Sequence, residues 1–122
     1  MAPNNRGHNI GDIKMEIHET KFKGLKAYVE ITAEDYIHDF KLLEKEDQKE
    51  YDDKKVWDYI VEVKVYDKTA LLFGSAEIGG CTFSLHEDFR EQAIDVADSY
   101  GLFEQAYEEM RKNLKTILRE NK

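Results

Sequence analysis

Few side chains in this sequence could do chemistry, and Cys81 is the first candidate. It is the only cysteine in the chain, and it precedes a predicted helix, where the helix dipole lowers the pKa of a thiol. A thiol nucleophile needs a histidine base, and spacing alone pairs none of His18, His38 and His86 with it. Because a cysteine among apolar residues usually packs as a small hydrophobic side chain, we expect Cys81 to be a core residue.

A partial metal site is the second candidate. Asp35, His38 and Asp39 would share one face of a helix at positions i, i+3 and i+4. A two-metal helical bundle requires the carboxylate-x-x-His pattern twice, and the other histidines have no acid three residues before them. No Ser-His-Asp pattern, zinc signature or matched carboxylate pair is found either. The sequence therefore predicts no metal, no cofactor and no catalytic residues, and argues against an enzyme.

Residues 74–81, GSAEIGGC, have the spacing of a phosphate-binding loop. Gly80 stands where the lysine of such a loop belongs, and Cys81 stands where its hydroxyl belongs. Glu77 within the loop would repel a phosphate. We therefore interpret the segment as a strand followed by a tight turn at Gly79-Gly80.

An acidic stripe in the first of two predicted C-terminal helices is the most informative charged pattern. Its acids recur at i, i+4, i+8 and i+11, and only Arg90 adds a positive charge. Like charges four residues apart cost a few tenths of a kcal/mol per pair, so this is an unfavourable way to build a solvent face. The stripe has two interpretations, a solvated face of an acidic protein and a docking surface for a basic protein partner. The predicted partner-binding residues are Glu87, Asp88, Glu91, Asp95 and Asp98.

A pocket for a small nucleotide is the alternative site. Phe83 lies at the junction between the predicted sheet and the helices, and Tyr107 and Arg111 lie in the last helix. An aromatic ring could stack on a base while the guanidinium holds a phosphate. The competing interpretation places Phe83 and Tyr107 in the core and Arg111 in solvent.

Apolar alternation predicts the strands that would position these residues. Apolar and polar residues alternate in residues 13–17, with His18 on the solvent face. They alternate again in residues 25–32 after a turn at Gly24, and the two segments together indicate a β-hairpin.

Residues 33–55 have two interpretations. The four apolar residues from Tyr36 to Leu43 fit either a short helix, which we favour, or a strand. Residues 44–55 carry ten charged side chains in twelve and predict an exposed loop or projecting helical end. Further strands are predicted at 57–66, 70–78 and 81–83, with turns at 67–68 and 79–80.

Two helices complete the predicted chain. The first should begin at Ser84, because Ser84-Leu85-His86-Glu87 has the pattern of a capping box, and should end at Gly101. Its apolar stripe runs from Leu85 to Tyr100. The second has a stripe ending at Leu118, with acids early and bases late, as the helix dipole favours. The fold class is therefore α+β: an antiparallel sheet of about five strands with two C-terminal helices packed on one face.

Composition limits the class of protein. The chain of 122 residues fits one domain, with residues 1–11 as a flexible tail and 12–122 as a single α+β domain. Its 26 acidic against 18 basic residues give a net charge of −8, which argues against nucleic-acid and membrane partners. One cysteine, no signal peptide and no apolar run of about 20 residues predict a cytoplasmic protein.

These features lead to a functional hypothesis. We expect a small, acidic, non-catalytic interaction protein that inhibits or sequesters a partner, as antitoxins, immunity proteins and phage or mobile-element anti-defence proteins do. The alternative is an oligomeric binding protein that sequesters a small nucleotide or other metabolite. A homo-oligomer is predicted, formed through the last helix or through an apolar patch on the open sheet face. That patch comprises Tyr28, Ile60, Tyr66, Leu71 and Phe73.

Overall fold

The computed structural model describes residues 14–35 and 40–120, and within them four strands form one antiparallel sheet. Strands that follow one another in the chain are also neighbours in the sheet. Two helices in the C-terminal part of the chain cover one face. The predicted α+β class is confirmed, with four described strands where the sequence predicts about five. The elements are β1 (Lys14–Phe22), β2 (Leu25–Ala33), α1 (Lys45–Asp52), β3 (Val56–Tyr66), β4 (Phe73–Ser84), α2 (Phe89–Ser99) and α3 (Leu102–Glu120).

The predicted hairpin between β1 and β2 is confirmed. Lys23 and Gly24 form its two-residue turn with φ values of 52° and 80°, the positive values that a tight hairpin turn requires. In β2 and β3 every second side chain is buried against the helices. Those side chains form the centre of the core: Ala27, Val29, Ile31, Ala33, Tyr59, Val61, Val63 and Val65.

A β-bulge at Gly79 and Gly80 stands where the sequence predicts a turn. β4 pairs with β3 on both sides of these glycines, at Ile78 and at Cys81, so two residues of β4 lie opposite one residue of β3. Gly80 has a φ of 67°, which glycine adopts without steric cost. The predicted turn and separate fifth strand are wrong. Glycine with a positive φ is typical of both tight turns and bulges, and here the strand stays paired through the bulge.

Glu34 holds this bulge through its side chain and its backbone. Its carboxylate accepts a hydrogen bond from the N–H of Gly80 at 2.8 Å. Its own N–H donates to the carbonyl of Asp58 at 3.0 Å, and its carbonyl accepts from the indole N–H of Trp57 at 2.7 Å. Three hydrogen bonds thus tie the chain just after β2 to both β3 and β4.

A second bulge, in β1, changes which side chains face the helices. The pairing shifts between Glu16 and His18, with Ile17 as the extra residue. His18 therefore lies opposite Val29 on the helix-covered face, where the Nε of Arg90 donates to its Nδ1 at 3.0 Å. The predicted solvent-facing position of His18 is wrong, because one inserted residue inverts the side-chain direction along the rest of the strand.

Helix α2 begins at Phe89, later than the capping-box pattern predicts. Asp88 is the N-cap, and its carboxylate accepts from the N–H groups two and three residues later at 2.8 and 3.3 Å. Ser84 is still part of β4, and its N–H and carbonyl bond the side-chain amide of Gln92 at 2.8 and 3.0 Å. The predicted start is wrong because strand pairing extends to Ser84 and leaves it unable to cap a helix.

Gly101 ends α2 as predicted, with a φ of 63°. Tyr100, predicted at the end of the buried stripe of α2, is 57% exposed. The predicted stripe of α3 is buried at Ala106 and Met110 but is exposed at Leu118. Asn113 donates to the carbonyl of Phe73, the first residue of β4, at 3.1 Å, so the last turns of α3 lie past the end of that strand.

Helix α3 lies directly on the backbone of β4 at Gly74. A Cβ atom built on Gly74 would come within 2.7 Å of the backbone at Ala106, Glu109 and Met110, closer than real carbon atoms approach. Gly74 is itself buried. The missing side chain therefore sets how closely the longest helix can pack on the sheet.

The segment between β2 and β3 is only partly described. Within residues 44–55, where the sequence predicts an exposed loop or a projecting helical end, the structure has a short separate helix, α1, with no buried residues. A short 3-10 turn, Phe40–Leu42, precedes it. The predicted tail at 1–11, the start of β1 at Ile13 and most of the predicted helix around Tyr36 lie outside the described residues. In the part of the chain that is described, no helix is long and apolar enough to cross a membrane.

Replacing Gly74 with alanine should destabilise the protein by about 2 to 3 kcal/mol, because the new methyl group forces α3 away from β4. Urea unfolding followed by circular dichroism measures this free energy. Gly79→Ala in the same strand is the matched control, since its Cβ would meet its nearest neighbours at 3.7 Å, an ordinary contact distance. Equal stability of the two variants would contradict the close approach of α3.

Candidate functional site

The structure gathers four of the five predicted partner-binding residues around one shallow groove. The groove has a volume of about 290 Å³ and lies at the start of α2. All four carboxylates are exposed to solvent. We name this surface the acidic α2 surface: it comprises Glu87, Asp88, Glu91 and Asp95.

The fifth predicted residue, Asp98, lies elsewhere. It lines a different cleft of about 410 Å³ between β1 and the helices, together with His18 and Phe22.

The four residues of the groove differ in role. Asp88 is the N-cap of α2, so part of its hydrogen-bonding capacity already stabilises the helix. Glu87 precedes the helix, whereas Glu91 and Asp95 follow one another at i, i+4 on its exposed face.

The acidic α2 surface has no counter-charge paired with it in the described part of the chain. Within residues 14–35 and 40–120, no ion pair involves Glu87, Glu91 or Asp95. Three glutamates elsewhere in the described chain do have a lysine partner: Lys14 lies 3.0 Å from Glu62, Lys64 lies 3.2 Å from Glu30 and Lys23 lies 3.3 Å from Glu104. Part of the negative charge of the sheet is therefore neutralised by lysine, whereas that of the acidic α2 surface is not.

A row of glutamates crosses the open face of the sheet, and sequence reasoning missed it. Its members lie directly opposite one another on all four strands. Like charges in such positions are destabilising. Lys14 and Lys64 offset part of this repulsion, and the pKa of Lys14 is raised, chiefly by its hydrogen bond to Glu62. The row comprises Glu16, Glu30, Glu62 and Glu77.

The glutamate row divides the apolar patch predicted on this face. Tyr66 packs edge-on against Tyr28 at 5.6 Å and tilted against Phe73 at 5.2 Å between ring centroids. These three rings form one corner of the face. Ile60 lies on the other side of Glu62 along β3, so it does not join them. Leu71, in the turn before β4, is 89% exposed.

The structure does not bring the predicted nucleotide-binding residues together. Phe83 is 1% exposed, pairs with Trp57 and packs in the core. Tyr107 contacts Phe22 near the opposite end of the sheet, with a ring-centroid distance of 6.0 Å. Arg111 is exposed and lies 5.9 Å from the Tyr107 ring. Only the last two of the three side chains therefore share a surface.

Cys81 lies at the edge of the core beside the bulge. Burial raises the pKa of its thiol, and the negative charges of Glu34 and Asp58 raise it further. A raised pKa keeps the sulfur protonated at neutral pH, the opposite of an activated nucleophile. Across residues 14–35 and 40–120, no group of three or more His, Cys, Asp or Glu side chains is arranged to hold a metal ion. His38 and Asp39, of the predicted partial metal site, are outside the described residues.

Alkylation of Cys81 by iodoacetamide at pH 8 should be slow in the folded protein and fast after unfolding in urea. The raised thiol pKa lowers the thiolate fraction in the folded state, and burial restricts access. Mass spectrometry of quenched time points measures the two rates. Replacing Glu34 with glutamine removes one of the charges that raise the pKa and should speed the folded-state reaction. Equal rates in the folded and unfolded states would contradict the predicted protonated thiol.

Comparison with known proteins yielded no match to this chain, whether with protein-family models, with curated proteins or with solved structures. The surfaces described above are therefore the basis on which a function is proposed.

Proposed function

We propose that this protein is a non-catalytic interaction protein that binds a basic protein segment through the acidic α2 surface. Binding would inhibit or sequester the partner, as antitoxins, immunity proteins and anti-defence proteins do. The observation that carries the proposal is the gathering of four exposed carboxylates around one groove, none of which has an ion pair among the described residues.

Helix energetics support this role. Lysine four residues after each acid would stabilise α2 by a few tenths of a kcal/mol per pair, whereas acids at that spacing destabilise it by a similar amount. Glu91 and Asp95 have this spacing, and Asp98, near the C-terminal end of α2, also lies against the helix dipole. The arrangement therefore weakens the free helix slightly and would be compensated by a cationic partner.

The spacing of the carboxylates indicates what such a partner presents. Glu91 and Asp95 are separated by about 6 Å along the helix axis. Basic side chains at alternate positions of an extended segment repeat every 7 Å or so, and residues one turn apart on a helix repeat every 5 to 6 Å. Either kind of basic segment could therefore place two cations opposite these two carboxylates.

The net charge of −8 would also speed encounter with a cationic partner at low ionic strength.

Charge reversal of Glu91 and Asp95 to lysine should weaken binding of a lysine-rich peptide about tenfold, since two attractive contacts become repulsive. The probe is a short extended peptide with lysine at alternate positions, titrated into the ¹⁵N-labelled protein. Amide shift changes in the wild type should be centred on residues 87–95 and should diminish as salt is added.

The double variant Glu108→Lys with Glu109→Lys is the matched control. Both side chains are exposed on α3, and the change in net charge is the same, so a general effect of net charge would appear equally in both variants. Full binding by the α2 variant, or shift changes centred on the glutamate row of the sheet, would refute the assignment to α2.

We further propose that the protein is a homo-oligomer assembled through the end of α3. Ile117 and Leu118 are 41% and 57% exposed there. Apposing two copies of the open sheet face would instead bring glutamate rows together, a repulsive arrangement. The end of α3 is therefore the better of the two predicted interfaces.

Light scattering coupled to size exclusion at micromolar concentration should give a mass above that of one chain, 14.3 kDa. Replacing Ile117 and Leu118 with lysine should reduce it to the monomer, because apolar contact area is lost. Leu71→Lys, at an exposed site away from α3, is the control and should leave the mass unchanged. A monomeric wild type would end this proposal.

A further inference from the structure

The C-terminal half of α3 carries a stripe of basic side chains along its exposed surface. Arg111, Lys115 and Arg119 recur there at i, i+4 and i+8, and all three are exposed. Within residues 14–35 and 40–120, no ion pair involves any of the three. Leu118, which is 57% exposed, follows Lys115 by three residues and therefore lies next to it on the helix surface. We name these four residues the basic α3 surface.

The fold holds the basic α3 surface away from the acidic α2 surface of the same chain. Strand β4 runs between the two helices. Its last residue, Ser84, bonds Gln92 of α2 at 2.8 and 3.0 Å, and its first residue, Phe73, accepts from Asn113 of α3 at 3.1 Å. The twelve residues of β4 span about 35 Å. The acidic and basic surfaces therefore lie toward opposite ends of this strand and do not pair within one chain.

The two surfaces match in spacing and are opposite in charge. Glu91 and Asp95 are four residues apart on α2, as are Arg111, Lys115 and Arg119 in succession on α3. Four residues of helix advance about 6 Å along the axis, so two such helices lying side by side bring carboxylates opposite cations at successive turns. Like charges at this spacing disfavour each helix alone, and that repulsion is relieved on both helices when they pair.

We propose that the basic α3 surface docks on the acidic α2 surface of a second copy of this chain. This inference rests on the proposed function, because it takes the acidic α2 surface to bind a basic segment and names α3 of another copy as such a segment. The contact joins two different surfaces, so it is heterologous: two copies exchange their α3 ends, or copies join head to tail. A basic partner and a second copy then compete for the same carboxylates, and assembly keeps the acidic α2 surface occupied until a partner displaces α3.

Reversal of charge on either side tests this pairing. The variants Glu91→Lys with Asp95→Lys and Lys115→Glu with Arg119→Glu should each have the mass of one chain, 14.3 kDa, in light scattering, because like charges then meet at the interface. An equimolar mixture of the two variants should regain the wild-type mass, since each α2 then faces an α3 of opposite charge. A chain that carries all four changes should assemble for the same reason.

Peptide titration distinguishes this inference from the proposed function. The variant Lys115→Glu with Arg119→Glu retains the acidic α2 surface and lacks its competitor. It should therefore bind the lysine-rich peptide about tenfold more tightly than the wild type does at concentrations where the wild type is assembled. Lys45→Glu with Lys49→Glu is the matched control: these lysines are also exposed and four residues apart on a helix, and their reversal should change neither the mass nor the affinity.

The two ideas fail in different ways. If the mixture regains the wild-type mass but the peptide does not bind, the proposed function fails at this surface and self-docking stands. If the peptide binds but the mixture stays at 14.3 kDa, self-docking fails and the proposed function stands. Urea unfolding of each variant verifies that it is folded. A monomeric wild type, or the wild-type mass in either double variant alone, would also overturn the inference.

Discussion

The contact between α3 and the backbone of Gly74 is the constraint on which the helical layer depends. Because no side chain separates the two elements there, the longest helix can lie on β4 closely enough to bury Ala106 and Met110. Small side chains also allow α2 to pack closely on the sheet, since Ala93 and Ala97 are completely buried. Close packing of this kind recovers dispersion contacts that larger gaps forfeit. It also leaves the opposite side of α2, with its acidic side chains, facing solvent.

The two bulges decide which side chains reach that helical layer. In β4 the extra residue at Gly79-Gly80 lets Cys81 and Phe83 continue the core face, and Glu34 holds the altered geometry with three hydrogen bonds. In β1 the extra residue brings His18 beneath α2. Each bulge lies in an edge strand of the sheet, where an inserted residue disturbs pairing on one side only. The same local irregularity thus shapes both the core and the clefts around it.

The distribution of charge separates surfaces that support the fold from surfaces free to bind. On the open sheet face, Lys14 and Lys64 offset part of the repulsion within the glutamate row, so those lysines contribute to stability. The acidic α2 surface has no such partner among the described residues.

Local patterns in the sequence determined the class of fold, the β1–β2 hairpin at Gly24, the buried alternation of β2 and β3 and the break at Gly101. These features depend on the periodicity of apolar residues and on the positive φ values that glycine adopts, both of which can be identified from residues close together in the chain. Tertiary structure alone decided the bulges, the late start of α2, the row of opposed glutamates and the separation of Phe83 from Tyr107. Each depends on register or on contact between residues far apart in the chain, and a shift of one residue reverses every side chain in a strand. The exposure of the acidic stripe followed from helical periodicity, but the absence of an ion pair to it within the described residues depends on where the tertiary structure places the lysines.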